Sequence, residues 1–402
     1  MNTANGGLKK HGKVYSVIKS TFLLATGGLG LVAFGGPMHV STPTSSAFSA
    51  TSSSPIYTTP VSSNNVAPRW STSVPPQLVF NHGTPLILTS TKQQLVLSRH
   101  FQTHWQRNTV TTVPSHHTIN GERLWCGPQG CWIAWTTTSP GDASARLSIM
   151  HSNTAALHWK TRWSTSISRP ATGGQLQITG NGSNLWVLST GTPAAGMMPK
   201  LLWSSPNGGR SWSLIAAGNV LSMPAPLRLP AGYPTGITAI SRNHLILTLE
   251  ASNTSMTAVS YTFHPRAVHI LPFPRPLNVQ WTIALPALVH GSTVTIPIMG
   301  LAGGAKGVLR IATRKSRHSV WTLHPIAALP GGSATTESGN MDVLSGTTHL
   351  DVVWPTGHVV QLPELKSFPN PLVTAQMGSH IVVLGKDKSL WVNSHEGWRR
   401  WS

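Results

Sequence analysis

An all-β chain, folded as a β-propeller of six or seven four-stranded blades, is predicted by three features of this sequence. Seven short polar turns are each followed by an alternating apolar run, a Ser-to-Trp turn motif recurs, and no helical periodicity of useful length follows the N-terminal segment. The seven runs are TKQQLVLS from Thr91, NGERLWCG from Asn120, GSNLWVLS from Gly182, SRNHLILTL from Ser241, HGSTVTIPI from His290, GTTHLDVVW from Gly346 and MGSHIVVLG from Met377. Alternation of Val, Ile, Leu, Thr and Trp between Gly, Ser and Asn marks half-buried strands in hairpins. The mean interval, about 48 residues, suits a four-stranded unit. Single intervals differ widely, 29 residues from Leu95 to Leu124 but 61 from Leu124 to Leu185, which predicts insertions in some units. An irregular β-sandwich array is the rival architecture, and it has no use for a recurring Ser-to-Trp turn.

The chain begins with an export signature. Lys9, Lys10, Lys13 and Lys19 precede the apolar stretch TFLLATGGLGLVAFG, which runs from Thr21 to Gly35 and is followed by Pro37 and a Ser/Thr-rich run. This layout predicts a signal peptide over residues 1–47, with cleavage after Ala47. The apolar stretch is shorter than the ~20 residues of a spanning helix, so an uncleaved membrane anchor is the secondary reading. GGLGLVA mimics a dinucleotide fingerprint, but no strand precedes it. Residues 48–75 are rich in Ser, Thr and Pro and read as a linker, leaving residues 76–402 for the propeller. A secreted or cell-envelope location follows.

Composition narrows the function classes. Of 402 residues, 29 are Lys or Arg and only 9 are Asp or Glu, giving a formal net charge of +20. Charged residues make up 9% of the chain against about 25% in an average soluble protein, so Ser, Thr, Asn, Gln and Gly must cover the surface. Avoidance of acids suits strongly acidic surroundings, where carboxylates are protonated and lose their pairing energy. The 19 histidines would then be cationic as well. Nucleic-acid binding expects clustered basic residues, whereas these are mostly scattered. The tightest groups are Arg310, Arg314, Lys315, Arg317 and His318, and the pair Arg399 and Arg400.

Only two cysteines occur, Cys126 and Cys131, in LWCGPQGCWIAW. Two Trp-bearing runs flank a Gly-Pro-Gln-Gly loop, the pattern of a hairpin whose ends are tied by a disulfide. A redox pair and half of a metal site are the competing readings, and no further Cys or close His cluster completes either.

The stretch SSPNGGRSW, Ser204 to Trp212, carries Ser205-x-Asn207-Gly208-Gly209-x-x-Trp212. It resembles the Asp-box, or bacterial neuraminidase repeat, of the sialidase-like propellers, with Asn at the acidic position. The resemblance implies a structural turn between the third and fourth strands of a blade, with Trp212 packing between blades. Asn keeps its hydrogen bonds at low pH, as an acid-exposed version of the turn would require. Degenerate copies keep Ser and Trp at the same spacing: Ser98 to Trp105, Ser152 to Trp159, and Ser394 to Trp401 with Glu396 and Gly397 between. The chain ends at Ser402, one residue after the last Trp, so that blade lacks a fourth strand in this reading. An open edge is unfavourable. An N-terminal strand near Gln77–Phe80 is therefore expected to complete the last blade.

Sialidases of this fold use three arginines, a Tyr–Glu pair and an Asp acid, with an Arg-Ile-Pro element. None can be placed here, and Phe273-Pro274-Arg275-Pro276 lacks the Ile. Glycoside hydrolysis needs two flanking carboxylates, and Asp351, alternating with apolar residues, is the candidate for the channel. His116 and His117 are adjacent and expected on opposite sides of a strand, while His349 and Asp351 share a strand face. No catalytic residue, metal site or cofactor is assigned. The sequence thus predicts a monomeric, non-enzymatic binding or scaffold propeller for a protein or envelope polysaccharide partner. It resembles the photosystem II stability/assembly factor-like members of the Asp-box group. A sialidase-like glycoside hydrolase and a polyanion or nucleic-acid binding protein are the alternatives. Trp398 beside Arg399 and Arg400 is the candidate stacking platform.

Overall fold

The computed structural model describes residues 76–401 apart from 102–103, 154–155, 157, 193–197, 221–224, 226, 251–256, 264–265, 273–280, 302–305, 315–320, 331–332, 335–341, 346–349, 363–372, 378–379, 386–388 and 395–396. The expected export segment and linker lie outside these residues. The described residues all belong to one compact unit, Ser52–Ser402.

Apart from one short 3-10 turn at Arg169–Ala171, the regular structure of the described residues is β. The first sheet is β1 (Gln77–Asn81), β2 (Thr84–Ser90), β3 (Gln94–Phe101) and β4 (His104–Thr112). The second is β5 (Thr118–Gly127), β6 (Gly130–Thr138), β7 (Ser144–Ser152) and β8 (Trp159–Ser168). The third is β9 (Gly173–Asn181), β10 (Asn184–Gly191), β11 (Lys200–Ser205) and β12 (Ser213–Gly218), with a short parallel β13 (Leu227–Arg228) at its edge. The fourth is β14 (Tyr233–Ser241), β15 (His244–Glu250), β16 (Thr257–Phe263) and β17 (Arg266–Pro272). In the fifth, β18 (Trp281–Ala284) and β19 (Leu288–His290) both pair with β20 (Thr293–Leu301), followed by β21 (Lys306–Arg314) and β22 (Thr322–Pro330). The sixth is β23 (Ser333–Ala334), β24 (Asp342–Ser345), β25 (Leu350–Val353) and β26 (Val359–Leu362), and the seventh β27 (Val373–Met377), β28 (His380–Leu384), β29 (Leu390–Ser394) and β30 (Gly397–Arg400).

Apart from the parallel β13 and the off-path β19, each sheet is an antiparallel meander in chain order, with tight turns among the connections that set its register. His82 and Gly83, with φ of 48° and 79°, form the two-residue turn joining β1 to β2. Positive φ at both central positions is what a turn matching strand twist requires. Second strands such as β6 (GCWIAWTTT) and β10 (NLWVLSTG) are buried along nearly their whole length, because a sheet lies on each side of them. On β10, Leu185 and Val187 face the second sheet while Trp186 and Leu188 face the fourth, as a period of two dictates. The fourth strand β8 instead exposes Lys160, Arg162 and Ser166, charged and polar groups that discourage edge pairing.

Apolar packing follows chain order and returns to its start. Leu88 and Leu97 meet Leu124 and Ile133; Leu147 and Ile149 meet Leu185 and Leu201; Leu188 and Leu202 meet Leu245 and Leu247; Ile246 meets Val294 and Ile296. Between the fifth and sixth sheets Thr295 Oγ1 donates to the Pro355 carbonyl at 2.6 Å. Val352 and Leu362 then meet Ile381 and Val383, and finally Val382 and Leu384 of the last sheet pack on Leu78 and Ile87 of the first. This is an all-β, propeller-like arrangement.

The expected strand exchange is not used. β1, which contains Gln77–Phe80, is the first strand of its own sheet, paired with β2 from Gln77↔Leu88 to Asn81↔Thr84. The fourth strand of the last sheet is β30, from the C-terminal end, which pairs with β29. The expectation fails because box spacing places Trp401 ahead of a missing fourth strand, whereas it follows one, β30. Its backbone N–H donates to the Leu390 carbonyl at 2.8 Å, and its ring lies 6.1 Å from Phe80. First and last sheets are joined by side chains, not by a shared strand.

Candidate functional site

In a four-stranded meander the first-to-second and third-to-fourth turns share one end of the sheet, here the turn end. Neighbouring sheets align these ends. The Asn184 side-chain amide donates to the Arg242 carbonyl, linking the first-to-second turns of the third and fourth sheets. A Cβ added at Gly208, in a third-to-fourth turn, would lie 3.4 Å from Gln129 Oε1 of the second sheet's first turn.

The turn Ser205 to Trp212 connects β11 to β12 at this end. Ser205 Oγ accepts from the Gly209 N–H at 2.9 Å and donates to Asn207 Oδ1 at 3.0 Å. Asn207 Oδ1 also accepts from the Ser211 N–H at 3.0 Å, while its Nδ2 donates to Ser211 Oγ at 2.8 Å. Gly208 and Gly209 have φ of 68° and 77°, and the Gly208 N–H donates to the Ser183 carbonyl at 2.6 Å, tying this turn to the first turn of the same sheet. Trp212 Nε1 donates to the Gly209 carbonyl at 3.2 Å, and its ring packs between the second and third sheets 5.9 Å from Trp163.

The degenerate copies occupy different places. Ser152 ends β7 and Trp159 begins β8, the same third-to-fourth position. Ser98 lies inside β3 opposite Arg107, and Trp105 lies inside β4, so this pair spans a tight hairpin without a box loop. Ser394 ends β29 and Gly397 begins β30; Glu396 lies outside the described residues. All four Trp residues sit between sheets: Trp159 between the first and second, Trp212 between the second and third, and Trp105 and Trp401 between the last and first. Trp398, expected as an exposed platform, is partly buried between the sixth and seventh sheets.

Cys126 and Cys131 form the disulfide across the β5–β6 hairpin. Its loop belongs to a larger cluster that sequence reasoning missed. Gln129 presents its carbonyl to His151 Nε2 at 3.1 Å, and Arg162 Nη2 donates to His151 Nδ1 at 3.3 Å. Trp132 lies 4.6 Å from the His151 ring and 5.3 Å from Trp125. Burial pushes the His151 pKa down, the Gln129 carbonyl opposes this, and Arg162 adds to it.

Three interior ionisable groups carry perturbed proton affinity. Glu122, on β5, accepts from Ser90 Oγ at 2.8 Å. Burial raises its pKa, with Ser90 and Arg123 pulling the other way. Burial likewise takes Arg123 down to about 10, against the pull of Glu122. Lys200, at the start of β11, is fully buried and donates to the Pro230 and Gly232 carbonyls at 2.8 and 2.7 Å. Burial lowers its pKa to about 8. Its place in PKLLW reads as a solvent-facing strand start, and nothing in that pattern announces the two carbonyls that receive it.

Among side chains the structure describes, only Glu122 and Asp142 bear carboxylates, and they do not form a flanking pair: Glu122 is interior, whereas Asp142 is exposed in the β6–β7 turn at the opposite end. The Asp351 side chain and His349 lie outside the described residues. His116 and His117 are in the β4–β5 connection with rings 4.3 Å apart, side by side because the segment is a turn and not a strand. No group of three His, Cys, Asp or Glu placed for a metal occurs among the described residues.

Exposed cations scattered in sequence are gathered by the fold. Lys160, Arg162, Arg210 and Arg242 project at the turn end from the second, third and fourth sheets, with the exposed imidazoles of His82 and His290 on the first and fifth. No exposed carboxylate accompanies them among the described side chains. The opposite end has Lys92, Arg146, Arg169 and Arg228, together with Asp142.

No family model matches the chain. No curated protein matches it either. Solved structures similar to it include virginiamycin B lyase from Staphylococcus aureus, at 12% identity and a TM-score of 0.46 over 79% of this chain and 93% of that one. BamB from Moraxella catarrhalis is similar at 12% identity and a TM-score of 0.43, covering 81% and 86% of the two chains. The β-propeller domain of the Trilobed protease from Pyrococcus furiosus is similar at 8% identity and a TM-score of 0.44, covering 71% and 85%. At these values the likenesses carry no functional argument, and the propeller-like arrangement rests on sheet pairing and packing.

Proposed function

We propose that this chain is an extracytoplasmic, non-enzymatic binding propeller whose seven sheets are the blades of one ring, and that its turn end holds an anionic polysaccharide. The observation that carries this reading is the turn end itself, where exposed Lys and Arg side chains project from successive sheets. Surface charges of one sign sum into a field that concentrates and orients a polyanion. The disulfide supports an oxidising compartment, and the box at Ser205–Trp212 supports kinship with the Asp-box propellers.

The test uses the full chain and a defined polymer, polygalacturonate, with neutral dextran as control. Retention on polygalacturonate that falls with salt, without release of reducing ends, supports the reading. Equal retention on dextran, or chain cleavage abolished by Glu122→Gln, refutes it.

A further inference from the structure

Two hydrogen bonds at the turn end of the second sheet define the protonation state of His151. A carbonyl can only accept and a guanidinium can only donate. His151 therefore donates from Nε2 to the Gln129 carbonyl at 3.1 Å and accepts at Nδ1 from Arg162 Nη2 at 3.3 Å. Both contacts require a neutral ring with its proton on Nε2.

The surrounding elements hold the ring in place. Strand register sets Trp132, His151 and Lys160 in one row across β6, β7 and β8, on the face toward the third sheet, and the Trp132 ring lies 4.6 Å from the imidazole. The disulfide closes the loop that carries Gln129. At Gly130, next in that loop, φ is 118°, and a Cβ would collide with the Ser152 carbonyl oxygen and lie 3.0 Å from His151 Nε2. Only glycine lets the loop approach the ring so closely.

Among the described residues, the charged and titratable groups around His151 are all basic. Lys160 and Arg162 come from β8, and His158 from the β7–β8 connection. Arg210 comes from the box turn, where a Cβ on the preceding Gly209 would lie 3.2 Å from Trp132 Nε1. Between Pro76 and Leu249 the sequence contains only two acids, Glu122 and Asp142. Glu122 is interior beside Ser90, and Asp142 is at the opposite end, so no carboxylate of the second or third sheet lies beside the imidazole.

A proton added at Nδ1 would set two N–H donors head to head and two positive charges in contact. Burial lowers the His151 pKa, the Gln129 carbonyl raises it and Arg162 lowers it again. The ring therefore charges below the range of an ordinary histidine unless something offsets the repulsion. A carboxylate placed between ring and guanidinium does so, because both groups then donate to its oxygens in charge-assisted hydrogen bonds.

We propose that His151 and Arg162 form a proton-operated latch in the polysaccharide site. With His151 neutral, Arg162 is held against the ring; with a proton from water on Nδ1, the two side chains turn outward and grip one carboxylate of the polymer. This rests on the polyanion-binding reading of the turn end and adds its regulation, tighter binding as pH falls. By reciprocity, binding the polymer takes up protons.

Calorimetry on the full chain with a defined oligogalacturonate, at about pH 7.5 and about pH 5 and at fixed ionic strength, reads the latch. Carboxylates that titrate near 4 stay largely ionised at both values. Wild type should bind about tenfold or more tightly at the lower pH, with proton uptake seen as a dependence of the heat on buffer. His151→Asn keeps an acceptor for Arg162 but cannot take the proton, and should lose about threefold or more of that gain, as should Arg162→Gln. His82→Asn removes one exposed imidazole from the first sheet and measures what a free charge contributes; its loss should be smaller. Nitrogen NMR of wild type keeps the test valid if a variant does not fold: at about pH 7.5 His151 should carry its proton on Nε2, and added oligogalacturonate should raise its pKa. Equal losses in His151→Asn and His82→Asn, or a proton on Nδ1 at about pH 7.5, overturn the latch and leave the turn-end reading standing. Binding of poly-L-aspartate with this proton linkage, and none of the oligogalacturonate, keeps the latch and overturns the polysaccharide reading. Binding of neither polymer overturns both.

Discussion

Lys200→Met replaces a buried cation by an apolar side chain of similar reach, and its consequence depends on pH. In the unfolded chain the amine titrates near 10.4; in the fold burial lowers it to about 8. A lowered pKa means that the folded state releases its proton first. Between about pH 8 and about pH 10 the unfolded chain therefore binds more protons, and stability rises with pH. The difference corresponds to about 3 kcal/mol across that window. Below pH 8 the amine is protonated in both states and contributes no slope. The neutral amine still has two N–H groups for the Pro230 and Gly232 carbonyls, so those bonds survive its titration. Methionine removes the titration and leaves both carbonyls without that donor, at about 1–3 kcal/mol each, partly offset by relief of the buried charge. Denaturant unfolding at pH 7, 8, 9 and 10 should show wild-type stability gaining about 3 kcal/mol relative to Lys200→Met across the series. Parallel curves for the two proteins would refute a buried, titrating Lys200.

Three further outcomes follow from the same geometry. Asn207→Asp keeps the acceptor for Ser205 and the Ser211 N–H but loses the Nδ2 donation. A carboxylate accepting those bonds titrates below its unfolded value, so the variant should match wild type to within about 1 kcal/mol at pH 7 and lose stability as pH falls through the carboxylate range, while wild type shows no such loss at this site. A constant difference between pH 7 and pH 3 would contradict this role for Asn207. Cys126→Ser with Cys131→Ser opens a short loop and should cost about 2 kcal/mol on the chain-entropy scale, measured as a shift in unfolding midpoint under non-reducing conditions. No shift would mean that the bond constrains nothing. Ile87→Ala and Leu384→Ala, on the first and last sheets, should each cost about 2–5 kcal/mol and couple in a double-mutant cycle by more than about 0.5 kcal/mol. Strict additivity would contradict side-chain closure between those sheets.

Much of the architecture was legible because short apolar runs between polar turns mark strands, and unbroken runs such as CWIAW in β6 and LWVL in β10 report a sheet covered on both faces. The seven quoted runs fall one in each sheet, but at different strand positions: TKQQLVLS is a third strand, NGERLWCG a first and GSNLWVLS a second. That offset, and not only insertion, produces the uneven intervals. The closure prediction failed for a related reason, since Ser394 to Trp401 has box spacing but spans a whole fourth strand. The disulfide followed from compartment and hairpin spacing. Lys200 and the His151 cluster were illegible because each depends on partners brought in by another strand or loop, such as Gly232 for Lys200 and Gln129 for His151. The gathering of cations at one end was hidden as well. It appears only once alternate turns are known to share an end.

Charge reversal at the two ends of the molecule separates a located binding surface from mere net charge. Arg210→Glu with Arg242→Glu alters the turn end, and Arg169→Glu with Arg228→Glu alters the opposite end by the same net amount. Affinity of the full chain for polygalacturonate at fixed ionic strength should fall about tenfold or more for the first pair and change by less than about twofold for the second. Equal losses for both pairs would contradict a turn-end polysaccharide site.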